Sequence, residues 1–120
     1  RFAFRVAPLR NVELTAPYMH SGAFPTLEDV LDHYNDVPAA LRAYDGSLLP
    51  PSLRGTLHGD AATIDAVLAT LDPRLATPIG LTETEKQDVV AFLRSLTDPA
   101  ARDLSSLVPT SVPSGLPVQD

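Results

Sequence analysis

The sequence contains no cysteine. Disulfides, thiolate metal sites, cysteine nucleophiles and thioether attachment of a c-type haem within this chain are therefore excluded. Tryptophan is also missing, and Met19 is the single methionine. Basic residues are scarce: nine Lys and Arg face fifteen Asp and Glu, for a formal charge of −6. A nucleic-acid binder carries a basic stripe, so that class is set aside. Long apolar runs are absent as well. The longest uncharged stretch, Leu104 to Gln119, holds three prolines and four serines, so nothing here spans a bilayer.

What is present is the length of one domain, 120 residues, with an ordinary 44% hydrophobic and 20% charged composition. Twelve prolines, about twice the usual share, predict short and punctuated elements. Arg1-Phe2-Ala3-Phe4-Arg5 is neither an initiator start nor the apolar core of a signal peptide. The expectation is a fragment of a longer protein, with a processed mature terminus as the lesser reading.

Phe2, Phe4 and Val6 alternate with Arg1, Ala3 and Arg5, which predicts a short extended piece ending at Pro8. Leu9 to Ala16 has room for one or two turns, and His20-Ser21-Gly22 reads as a turn. A first helix begins at Thr26, where Asp29 completes a capping box with a short acid. Leu27, Val30, Leu31 and Tyr34 share one of its faces, and Asn35 with Pro38 closes it. Residues 37–59 form the loosest region, with a helical turn expected around Pro38 to Tyr44.

A second helix is expected from an Asp60 cap, with Ile64, Val67, Leu68 and Leu71 as its stripe and Asp72-Pro73 as its stop. The clearest helix signal follows. Thr82 and Glu85 make a capping box, and Val89, Phe92, Leu93 and Leu96 form the expected stripe. Asp98 can cap one further turn with Pro99 at its first position. From Leu104 the chain is a Pro- and Ser-rich tail expected to lie along a surface. The fold class expected is all-α with long loops and a core too thin to stand without a cofactor or another domain.

The chemistry-bearing residues are few. His20, His33 and His58 form no zinc spacing, and His33 and His58 read as surface or turn histidines. Glu28-Asp29 and Glu83-Glu85 read as first-turn charges favoured by the helix dipole. Met19 and Tyr34 are potential iron ligands, against the plainer readings of gap-filling methionine and core tyrosine. Spacing alone leaves both open.

The stretch Leu9-Arg10-Asn11-Val12-Glu13-Leu14-Thr15-Ala16-Pro17-Tyr18-Met19-His20-Ser21-Gly22 resembles the "LRNV-LT-PY-HDG" segment of bacterial diheme cytochrome c peroxidases and MauG-type diheme enzymes. The likeness continues through Thr26 to Val30, Gly80-Leu81-Thr82, Val89 to Thr97 and the tail Val112-Pro113-Ser114-Gly115-Leu116-Pro117. It implies the C-terminal half of a cytochrome c-like haem domain over residues 1–103, with 104–120 as an extended tail.

In that family the distal ligand of the C-terminal haem lies fourteen residues after the motif His, which is Tyr34 counted from His20. Peroxidases generally place Met there and MauG-type enzymes Tyr. A thioether favours Fe(II) and a phenolate favours Fe(III) and higher states, so Tyr34 implies a MauG-like electronic role. Met19 then becomes packing near the haem.

The resemblance also implies calcium, with main-chain oxygens of Thr15 and Pro17 as two ligands. Arg10 is placed either against a haem propionate or in a surface ion pair. Ser21 stands where the motif usually has Asp. The C-x-x-C-H sites are missing from this chain, so by itself it is not a complete enzyme, and no residue of it is assigned as catalytic. The function implied is that of a fragment of a periplasmic diheme oxidoreductase that uses peroxide and passes electrons between haems. Its haem c would be attached outside this chain. Its partners would be the missing N-terminal portion and a redox partner protein or protein substrate. The competing reading is a haem-free helical binding module derived from the same family.

Overall fold

The structure is a computed structural model that describes residues 6–109 and 111–115. Phe2 and Phe4 of the expected extended piece, and Leu116 and Pro117 of the tail motif, lie outside the described residues. Among the described residues the chain is all-α, with four α-helices: α1 (Leu27–Asn35), α2 (Val37–Arg42), α3 (Ala61–Leu68) and α4 (Glu83–Ser95). Short 3-10 turns join them, and one antiparallel bridge pairs Tyr18 with Phe24.

Local chemistry sets the helix starts. The Thr26 hydroxyl accepts the Asp29 N–H at 3.1 Å, and the Asp29 carboxylate accepts the Thr26 N–H at 3.2 Å. Asp thus completes the box despite its shorter reach. At α4 the Glu85 carboxylate accepts the Thr82 N–H at 2.8 Å, and the Thr82 hydroxyl accepts the Glu85 N–H at 3.3 Å. Asp60 caps α3 through the Thr63 N–H at 2.9 Å, and Asp98 caps the Pro99–Arg102 turn through the Ala100 N–H at 3.0 Å.

Three of the sequence expectations need correction here. Pro38 does not end α1: Asp36 alone separates the helices, and Pro38 sits in the first turn of α2, where its missing N–H costs nothing. The helix expected from Asp60 to Leu71 ends at Leu68, and Leu71 is reached by a tighter turn in which Leu71 N–H bonds Leu68 C=O. Phe92 is 59% exposed, while Val90, outside the expected stripe, is 3% exposed. The phase of α4 follows its partner: α1 presents Leu27 and Leu31, and Val90 and Leu93 turn to meet them.

The main core is therefore the α1/α4 contact, Leu27, Val90 and Leu93, with Val12, Tyr18, Leu31, Val89 and Leu96 packed around it. Ion pairs fasten its edges: Lys86 bridges Asp32 and Glu83, and Arg94 reaches Glu28 at 2.9 Å. The α2/α3 side is looser, and no residue of α3 is buried. Among the described residues six hydrophobic side chains are buried, Phe24, Leu27, Val37, Leu49, Val90 and Leu93, and the looser α2/α3 side borders the cleft described next.

Candidate functional site

A cleft of about 360 Å³ lies between the Tyr18–Phe24 loop, α1, α2, α3 and the turn after α3. Phe24 and Val37 line it from the loop and α2, and Val67, Leu71 and Leu75 line it from α3 and the turn after it. Size and lining are those of a small-molecule or cofactor site, apolar with a few polar side chains.

The loop wall is shaped by its bridge. Tyr18 N–H bonds Phe24 C=O at 2.7 Å, and Gly22 N–H bonds Met19 C=O at 3.2 Å. The turn needs left-handed backbone at Met19 (φ 65°) and Gly22 (φ 66°). Glycine takes that conformation freely, whereas methionine does so at a cost, and this strained residue lines the cleft.

The helical wall carries an aromatic cluster. Tyr34, in the last turn of α1, meets the His33 ring edge-on at 5.5 Å, and His33 meets Phe24 at 5.2 Å. The Tyr44 and Phe24 ring centroids lie 5.6 Å apart in a T-shaped arrangement, and the Tyr44 hydroxyl donates to Ala23 C=O at 2.7 Å. Burial, then the negative charge of Asp45, raises the Tyr44 pKa, so this phenol stays neutral and structural. The Tyr34 hydroxyl has no hydrogen-bond partner among the described residues, and the residue, 41% exposed, lines the cleft.

His33 departs from its reading as a surface histidine. It lines the cleft, burial pushes its pKa below the ordinary 6.5, and its Nδ1 is buried without a partner. The imidazole is thereby kept neutral at pH 7. His58 is exposed, as expected.

Of the residues singled out from sequence, Tyr34 and Met19 meet in this one cleft, together with His20 and Ser21 of the motif turn. Arg10 is elsewhere: it pairs with Asp98 at 3.3 Å, with 76% of its side chain exposed. Thr15 and Pro17 lie on exposed chain just before the loop, and the Thr15 hydroxyl bonds Val12 C=O at 2.9 Å.

Sequence reasoning missed His33 and Tyr44 as wall residues. The one-residue link at Asp36 is the signal that could have revealed them, because it forces α2 back against α1. Chemically, the cleft offers a thioether, a free phenol and a neutral imidazole on apolar walls.

No family model matches the sequence, and no solved structure matches it significantly. Curated proteins do. The chain is 32% identical to the methylamine utilization protein MauG of Methylorubrum extorquens over 108 residues, 89% of this chain and 23% of that protein. It is 30% identical to the cytochrome-c peroxidase IdrP1 of Pseudomonas sp. strain SCT over 118 residues, 97% of this chain and 24% of that protein. A shorter stretch of 30 residues is 60% identical to the cytochrome c551 peroxidase of Pseudomonas aeruginosa, 25% of this chain and 9% of that protein. The chain spans less than a quarter of the length of each of these relatives.

Proposed function

By sequence this chain is a relative of the C-terminal part of MauG and the cytochrome c peroxidases, and on that premise we propose that it is one side of a haem pocket in a diheme c-type oxidoreductase. Residues 1–103 would form the C-terminal portion of a cytochrome c-like domain, and 104–120 its tail. The observation that carries the proposal is the meeting of Tyr34 and Met19 in one apolar cleft, with the Tyr34 hydroxyl unengaged.

The residues of the cleft fit a haem. Phe24, Val67, Leu71 and Leu75 offer flat apolar contact and exclude water, and the wall they leave open is where the attached half of the domain would close. Bound haem c, linked through cysteines outside this chain, would supply one-electron chemistry.

Tyr34 would hold the iron as an anionic oxygen donor, a ligand type that lowers the potential and favours Fe(III) and higher states. Met19 would pack beside the ring, and the neutral His33 would keep positive charge away from that site. Arg10, if released from Asp98, would pair with a propionate. Carbonyl oxygens of Thr15 and Pro17 would give two hard ligands to a calcium ion, with further ligands from the other domain.

The whole protein would be a periplasmic peroxidase of MauG-like electronic character, taking electrons from a redox partner protein or a protein substrate. The experiment is to express the complete gene product in a host that attaches haem c. A Soret band, two C-x-x-C-H sites and peroxide-dependent oxidation of a reduced donor are expected. A colourless product with no such site would refute the proposal in favour of a haem-free helical module.

A further inference from the structure

We infer that Asn35 is the residue that positions Tyr34 in the cleft, an inference that rests on the ligand role proposed for Tyr34. Tyr34 lies in the final turn of α1, where carbonyl groups lack helical partners and the end frays unless something else holds it. Asn35 supplies that hold from one residue away. Its backbone C=O accepts the Ile79 N–H at 2.9 Å, its Oδ1 accepts the Leu81 N–H at 2.7 Å, and its Nδ2 donates to Leu81 C=O at 3.2 Å.

These three bonds cross 44 to 46 positions of sequence and grip the segment that enters the Thr82 cap of α4. The end of α1 is thus fixed to the start of α4, the same helix whose Val90 and Leu93 make the core. The α3 side is held less firmly among the described residues: α3 contributes no buried residue, and the exposed Arg42–Asp65 pair at 2.9 Å ties it to α2. Tyr34 therefore stands on the rigid side of the cleft, and a bound group would adjust to the phenol by movement of the α3 side.

The side-chain amide is specific to this task. It accepts from one backbone group of Leu81 and donates to the other, as a neighbouring strand would. A carboxylate can accept from Leu81 N–H but repels Leu81 C=O, and alanine does neither.

The test uses the complete haem-loaded protein with Asn35→Ala, Asn35→Asp and Tyr34→Phe, each read by ferric absorption spectrum, midpoint potential and thermal midpoint. Both Asn35 variants are expected to move the ferric spectrum and the potential in the direction of Tyr34→Phe, alanine further than aspartate, with haem content retained. An unchanged spectrum and potential alongside a lowered thermal midpoint would leave Asn35 a purely structural residue and overturn the inference. If Tyr34→Phe itself leaves the spectrum unchanged, the ligand reading fails, and the inference fails with it. Should Asn35→Ala not fold, Asn35→Asp decides by the same criteria.

Discussion

Asn11 holds Asp98 across 87 positions of sequence: its Oδ1 accepts the Asp98 N–H at 2.8 Å, while its own N–H donates to Leu96 C=O at 3.1 Å. Asn11 has φ 59°, a left-handed backbone that asparagine tolerates better than other side chains. The Leu-Arg-Asn-Val stretch thus docks the start of the described chain onto the end of α4. Asn11→Ala should lose about 1–3 kcal/mol in urea unfolding, from the severed hydrogen bond and the left-handed backbone together. Asn11→Gly should lose less, because glycine keeps the backbone conformation. Equal losses for the two would remove the backbone from the explanation.

The phase of α4 predicts opposite fates for adjacent residues. Leu93 is 9% exposed in the α1/α4 core, and Leu93→Ala should cost about 2–5 kcal/mol. Phe92→Ala should change stability by less than about 0.5 kcal/mol in the isolated chain, despite removing a larger side chain. Comparable losses would mean that Phe92 packs inward and that α4 is rotated from the orientation described.

Asp72 caps the turn that presents Leu71 and Leu75 to the cleft, and it binds Arg74 through both side chain and backbone. These hydrogen bonds hold its carboxyl at about 2, below the ordinary 3.8. A depressed carboxylate adds stability above its unfolded value and loses it as pH falls through the folded one. The turn should therefore stay intact at pH 5 and weaken between about pH 4 and pH 2. Carboxyl NMR should give an Asp72 midpoint near 2 that rises toward the ordinary value in Arg74→Ala. An Asp72 midpoint already ordinary in the unmodified chain would contradict the pairing.

Much of the helical scaffold was legible because it is local. The Thr26 and Thr82 boxes and the Asp60 and Asp98 caps need only residues two or three positions apart. What sequence could not show depends on partners far along the chain. Val90 rather than Phe92 faces inward because of where α1 lies, and Asn11 and Asn35 look like ordinary turn residues until their backbone partners are located. His33 sits one position off the apolar stripe of α1, and only the fold of α2 and the Phe24 loop against it makes it a wall residue. The resemblance implied that Tyr34 and Met19 lie near one cofactor, whereas spacing alone left both open between ligand and packing roles.

The most direct measurement is the ferric absorption spectrum of the complete protein beside Tyr34→Phe and Met19→Leu. Tyr34→Phe should change the ferric spectrum and raise the midpoint potential, because an anionic oxygen donor is lost, while Met19→Leu should leave the ligand bands in place. A Tyr34→Phe spectrum identical to the unmodified protein, or loss of the ligand bands with Met19→Leu alone, would contradict the assignment of Tyr34 to the iron.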